Sequence, residues 1–142
     1  MRNVLMAVVL FGLTELTSAQ PAHYFVWDFA SEYKDRCSNG SMMEMNECLA
    51  EARGNVERRL DTAYKRLSGA LANPTPLLKS QQAWLRYREA QCKFEVPPEW
   101  TGSAIPYSKN SCLIDHTERR IRDLERVAPC NGCVEFKPEH YK

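Results

Sequence analysis

The residues best suited to chemistry in this sequence are its six cysteines: Cys37, Cys48, Cys92, Cys112, Cys130 and Cys133. An even number of cysteines in a small chain that also carries a secretion signal predicts disulfides rather than reactive thiols. Cys92 and Cys112 are placed to bridge the two ends of a proline-rich segment. Cys37 could pair with Cys48, although the pairing of these two with Cys130 and Cys133 stays open. Disulfides in turn predict an oxidising compartment.

The Cys130-x-x-Cys133 pair has the spacing of a redox or metal-binding motif. A redox pair normally begins a helix, whose N-terminus lowers the pKa of the first thiol. Here the pair follows Pro129 and no helical pattern comes after it, so we favour a structural disulfide, either local or to another cysteine. A zinc site would need two further ligands, of which His140 is one candidate and the other is not evident. We therefore predict no metal and no cofactor.

The titratable residues give no catalytic pattern. Of the three histidines, only His116 falls within a predicted helix, and a cysteine–histidine pair would need a free thiol that an oxidising compartment disfavours. The four-residue spacings of Glu118 with Arg122 and of Arg119 with Asp123 predict ion pairs on a solvated helix face. We therefore predict that the protein is not an enzyme.

The first nineteen residues have the features of a secretion signal. Arg2 precedes an apolar run over residues 4–13, and Ala19 ends a group of small residues suited to cleavage. The run is shorter than the roughly 20 residues that span a bilayer, and no cysteine lies at the cleavage point to carry a lipid. We expect a periplasmic or secreted protein without a membrane anchor after cleavage of residues 1–19. The net charge of +1 gives no footprint of a nucleic-acid binder.

The apolar spacing predicts three amphipathic helices. The first begins at a capping box formed by Ser41 and Glu44 and ends near residue 72, before an Asn-Pro pair. The second covers residues 75–96 and the third residues 111–127. The residues expected to face inward are Met45, Cys48, Ala52, Val56, Leu60, Ala63, Leu67, Leu71, Leu78, Leu85, Cys92, Leu113, Thr117, Ile121, Leu124 and Val127. Burying three such stripes predicts an all-α, disulfide-stapled three-helix bundle.

The rest of the chain is divided around this bundle. We expect an extended, aromatic-rich segment over residues 20–36, a helical domain over residues 37–128 and a cysteine-containing tail over residues 129–142. A loop over residues 95–110 links the last two helices. Its candidate binding residues are aromatic or charged, namely Glu95, Glu99, Trp100, Tyr107 and Lys109. Such a loop on a rigid support suits insertion into a partner protein. The alternative is that Trp100 and Tyr107 fold back over the helix ends.

A polar and aromatic motif lies in the second helix. Gln81, Trp84 and Arg88 are spaced by three and four residues, which places them on one face. We interpret this face as scaffold rather than contact surface. Trp84 is expected in the core, and Arg88 is expected to bind a carboxylate, with Asp61 as the candidate partner.

Together with Cys92, Cys112 and a Thr-x-x-Arg at residues 117–120, this motif resembles the lysozyme inhibitor LprI-like N-terminal domain family. The resemblance covers about residues 37–127 and includes the stretches 43–48 and 60–64. It implies a small, helical, cell-envelope or secreted bacterial protein, and the named member of the family inhibits lysozyme. From it we expect a binding protein that occludes the cleft of a lysozyme-type cell-wall hydrolase. The alternative is an envelope interaction or immunity protein with another target. The sequence departs from the named member in lacking the lipoprotein cysteine and in adding the aromatic segment and the Cys-x-x-Cys tail.

Overall fold

The described part of the computed structural model comprises Tyr33, residues 36–129 and residues 134–141. Three helices follow one another, α1 (Met42–Ala70), α2 (Thr75–Glu95) and α3 (Ala104–Arg126), and a 3-10 turn covers Pro138–His140. The described residues form no strand, so the prediction of an all-α three-helix bundle is confirmed. The predicted secretion signal and most of the aromatic segment lie outside the described residues. No helix within them is long and apolar enough to span a bilayer.

Helix α1 begins and ends where the sequence indicates. Ser41 Oγ accepts a hydrogen bond from the Glu44 amide at 3.3 Å, and the Ser41 amide donates to the Glu44 carboxylate at 2.7 Å. This capping box satisfies backbone donors that would otherwise lack partners. The helix ends at the extended residue Leu71, ahead of the Asn-Pro pair. Its buried side chains are Leu49, Ala52, Val56, Leu60, Ala63, Leu67 and Ala70.

Helix α3 is the central element of the bundle. It begins at Ala104, so the predicted start at Ser111 is wrong. Pro106 lies in the first turn, where its missing amide proton costs no helical hydrogen bond, so the helix accommodates this proline. All eight residues from Ser111 to Glu118 are buried, because α1 packs on one side of α3 and α2 on another.

The helices run up, down and up. Successive contacts between α1 and α3 involve later residues in both helices. Asn46 Nδ2 donates to the Ser103 carbonyl at 2.8 Å, and Arg59 pairs with Glu118 at 2.5 Å. These two helices are therefore parallel. Helix α2 is antiparallel to α3, because the start of α2 lies beside Arg120 and its end is bonded to Cys112.

Helix α2 is held by a polar face. The prediction that Leu78 and Leu85 face inward is wrong, since they are 46% and 38% exposed. The buried residues of α2 are Gln81, Arg88 and Cys92. Leu78 and Leu85 lie at the edge of the α2 face that packs against the bundle, and the hydrogen-bonding residues Gln81 and Arg88 lie at its centre. Polar contacts therefore decide the rotation of this helix about its axis.

Two disulfides staple the bundle. The Cys92–Cys112 pairing is confirmed, and Cys37 pairs with Cys48, with Cα atoms 5.7 Å and 5.5 Å apart respectively. The second disulfide ties Cys37, whose amide donates to the carbonyl of buried Tyr33 at 2.9 Å, to α1. Cys130 and Cys133 lie outside the described residues. At the other end of α1, buried Phe136 covers the core, and the Lys137 amide donates to the Ala70 carbonyl at 2.8 Å.

Candidate functional site

The loop between α2 and α3 is short and braced. It runs from Val96 to Ser103, between the end of α2 and the start of α3. The Cys92–Cys112 disulfide joins the two helices beneath it. The Trp100 amide donates to the Pro97 carbonyl at 3.1 Å, and Gly102 has a φ of +121°, which an L side chain rarely adopts. The loop therefore has fixed ends and a defined turn inside it.

We call this end of the molecule the loop end: the first turn of α1, the last turn of α2, residues 96–103 and the first turn of α3. The bond from Asn46 to the Ser103 carbonyl brings the start of α1 to it. Large apolar side chains are exposed here, Met43 at 68%, Phe94 at 79% and Trp100 at 55%. Apolar side chains gathered at one end of a small protein are a feature of surfaces that bind a partner.

The five predicted binding residues have different positions. Glu99, Trp100 and Lys109 are exposed at or near the loop end. Tyr107 is partly buried and packs against the hydrophobic core, so for this residue the structure shows the folded-back arrangement. Glu95 is turned inward and belongs to the support of the loop. Phe94 and Met43 were not among the predicted residues. Phe94 lies between the charged residues Lys93 and Glu95, and such neighbours are a usable signal that an apolar residue is on the outer face of a helix.

The carboxylate of Glu95 lies behind the loop among polar side chains. It accepts a hydrogen bond from Gln91 Nε2 at 2.6 Å. His116 Nε2 lies 3.8 Å from the same oxygen, and the second oxygen lies 3.2 Å from Cys112 Sγ. Because the Glu95 side chain is only 7% exposed, these contacts order the last turn of α2 against α3 rather than offering a charge to a partner.

Arg88 joins all three helices below this region. Its Nη1 donates to Glu57 Oε1 of α1 and to Thr117 Oγ1 of α3, both at 2.8 Å, and its Nη2 donates to Glu89 at 3.3 Å. Asp61, the predicted partner of Arg88, pairs instead with Lys65 at 2.7 Å. Asp61 lies one helical turn after Glu57, and the Arg88 guanidinium contacts Glu57.

Two guanidinium groups lie close to the indole ring of Trp84. The Arg88 guanidinium is 5.1 Å from the indole centroid and the Arg120 guanidinium is 5.8 Å away. Arg120 is fixed by its bonds to Gln81 Oε1 at 3.0 Å and Ser80 Oγ at 3.1 Å, and burial lowers the pKa of Arg120 below its ordinary value. Cation–π contacts and charge-assisted hydrogen bonds thus hold α2 where leucines were expected.

The predicted ion pairs within α3 are replaced by others. Glu118 is buried and pairs with Arg59 of α1, not with Arg122. Arg119 pairs with Asp115 at 2.7 Å, one turn earlier than the predicted partner. The alternating charges of α3 predicted a solvated face, but this face lies partly against α1. The reason is that α3 is central, so its charged positions meet neighbouring helices.

These features define a class: a small all-α protein in which a disulfide and buried polar contacts support an exposed aromatic loop. The chain matches the family model described as lysozyme inhibitor LprI over residues 35–124, which is more than half of its length. The protein belongs to this family. It is a family of inhibitors, not of enzymes. Comparison with curated proteins and comparison with solved structures each found no match. The matched range contains both observed disulfides, the Arg88 contacts and the loop, while Cys130 and Cys133 fall beyond it.

Proposed function

We propose that this protein is a secreted or periplasmic inhibitor of a lysozyme-type cell-wall hydrolase, and that its loop end enters the cleft of the hydrolase. The observation that carries the proposal is the exposure of Trp100 on a loop whose base is closed by the Cys92–Cys112 disulfide. The family match supports the class of target. The disulfides and the signal-like residues 1–19 support the compartment.

An inhibitor that occludes a cleft needs apolar contacts that it can form without losing much conformational entropy. A loop that is already fixed loses little conformational entropy on binding, so more of the contact energy appears as affinity. Trp100 and Phe94 supply flat rings of the kind that dominate binding energy in protein interfaces. The cleft of a lysozyme is lined by catalytic carboxylates, and blocking access to them needs no chemistry from the inhibitor.

Charge adds orientation to this contact. Glu99 is exposed next to Trp100 and carries a negative charge to the rim of the loop end. Lysozymes are usually cationic, so a carboxylate at the rim speeds encounter and opposes a reversed approach. Glu95 is excluded from this role by its buried position.

The test is a peptidoglycan lysis assay with several lysozymes and purified, oxidised protein. Trp100→Ala should raise the protein concentration needed for half inhibition about 30-fold, the equivalent of losing one strong interface contact. Tyr87→Ala is the matched control, because Tyr87 is an aromatic residue of similar exposure, 53%, on the middle of α2. It should leave inhibition unchanged. If the wild-type protein slows no lysozyme at micromolar concentration and forms no complex, the inhibitor proposal fails, and the envelope-partner or immunity alternative takes its place.

A further inference from the structure

An open groove of about 530 Å³ lies along α1, separate from the loop end. Its charged and aromatic lining is formed by Tyr33, Arg36, Arg58, Arg59, Arg66 and Glu125. The α1 residues that line it lie between Asn55 and Arg66, whereas the loop end contains the first turn of that helix. A ligand in the groove therefore leaves Trp100 and Phe94 exposed.

The groove concentrates positive charge in a chain that is otherwise balanced. Four guanidinium groups and one carboxylate line it, although the whole sequence has a net charge of only +1. Arg59 forms an ion pair with Glu118, a buried residue that does not line the groove. Among the described residues, no carboxylate lies within 4.0 Å of Arg36, Arg58 or Arg66. Such an imbalance on one surface attracts anions.

The four arginines of the groove are solvent-exposed, and three of them also contact neighbouring side chains. Arg36 lies 5.2 Å from the centroid of the Tyr33 ring, and Arg58 donates to the side-chain carbonyl of Asn55. Burial lowers the pKa of Arg59, but the charge of Glu118 and hydrogen bonds with Glu118 and Tyr33 raise it, and the net direction is upward. Arg59 therefore keeps its charge where it lines the groove.

The spacing of the arginines indicates the shape of the ligand. Arg66 lies eight residues after Arg58 and seven after Arg59, which places the three on one side of α1 over a length of about 12 Å at the rise of an α-helix. A guanidinium group binds phosphate or carboxylate oxygens in a forked geometry that lysine does not offer. A row of this length exceeds the size of one phosphate ion and fits several oxyanions along a chain.

We propose that this groove binds a chain-like polyanion with repeated phosphate or carboxylate groups. Successive oxyanions lie across Arg66, Arg58 and Arg36, and Glu125 on the opposite wall limits how far the chain can shift sideways. The proposal does not depend on inhibition of a hydrolase. If both hold, the protein can be retained on an anionic polymer while its loop end stays available.

The experiment is a calorimetric titration of the full-length oxidised protein with linear polyphosphate in one arm and with oligogalacturonate in the other. Binding in either arm supports the groove and identifies the oxyanion it accepts. The double substitution Arg58→Gln with Arg66→Gln should weaken binding about tenfold or more, and raising the salt from about 50 to about 200 mM should weaken wild-type binding as well.

The matched control removes two exposed arginines outside the groove, Arg86→Gln with Arg122→Gln. It has the same net charge as the groove variant, so a specific site predicts near-wild-type affinity. Circular dichroism should show all three proteins equally helical. Equal weakening by the two double variants would mean diffuse attraction, and absence of heat and of binding with both probes would mean no site. Either result overturns the proposal.

Discussion

Removing one disulfide at a time should separate stability from inhibition. Cys92 and Cys112 are 20 residues apart in sequence, and Cys37 and Cys48 are 11 apart. The chain-entropy relation gives a loss of about 3.3 kcal/mol for replacing the first pair with serines and about 2.8 kcal/mol for the second. The two variants should therefore differ by only about 0.5 kcal/mol in their free energy of unfolding. Their positions differ much more, because only Cys92–Cys112 closes the base of the loop.

Urea unfolding followed by circular dichroism measures the stability of both variants, and the lysis assay measures inhibition at a temperature where both are folded. The variant without Cys92–Cys112 should inhibit about tenfold less well, since the loop must then be ordered on binding. The variant without Cys37–Cys48 should inhibit like the wild type. Equal inhibition by the two variants would refute the reasoning that the brace under the loop contributes to binding, even if the stability losses agree.

Three further changes test the polar anchor, the helix cap and the core. Arg88→Met should lower the free energy of unfolding by about 2 kcal/mol because the partly exposed Glu57 and the buried Thr117 lose their charged donor, whereas the exposed Leu85→Gln should change it by less than about 0.5 kcal/mol in the same urea titrations. Hydrogen bonds from Ser41 lower the pKa of the exposed Glu44 carboxyl from 4.5, so their stabilisation is present above the unfolded-state pKa and is lost as pH falls through the folded-state pKa. In an NMR titration, Ser41→Ala should return the pKa of Glu44 towards 4.5; an unchanged value would contradict the cap. Ile114→Ala, at a fully buried position, should cost about 3 kcal/mol and lower the thermal midpoint accordingly.

The parts of the fold that the sequence predicts well are those set by local signals. The capping box at Ser41 and the Asn73-Pro74 pair determine where α1 begins and ends, and both act within one helical turn. The apolar stripe of α1 repeats over many turns, so its direction is well determined even though Leu49 was missed. The Cys92–Cys112 disulfide was predicted from the two cysteines at the ends of the proline-rich segment, and it forms even though α3 begins eight residues before Cys112.

The parts that the sequence predicts less well depend on which helices meet. Pro106 is compatible with a loop or with the first turn of a helix, and the packing of α3 decides between them. The sequence offers Arg88 two carboxylates one turn apart on α1, Glu57 and Asp61. Which of them it contacts depends on where α2 passes α1, and the sequence does not specify that position. Within the candidate site, the exposure of Trp100 and the inward turn of Glu95 depend in the same way on tertiary structure.

The polar anchoring of α2 explains why a disulfide lies at its end. A helix that buries leucines gains about 25 cal/mol for each Å² of apolar surface, but the buried face of α2 offers Gln81, Arg88 and Cys92 instead. Buried charged contacts fix the rotation of a helix more firmly than they stabilise it, because the cost of desolvation offsets most of their attraction. The covalent bond from Cys92 to Cys112 supplies the missing stability at the point where α2 leads into the exposed loop. Orientation by Arg88 and attachment by the disulfide therefore act together, and the position of Trp100 depends on both.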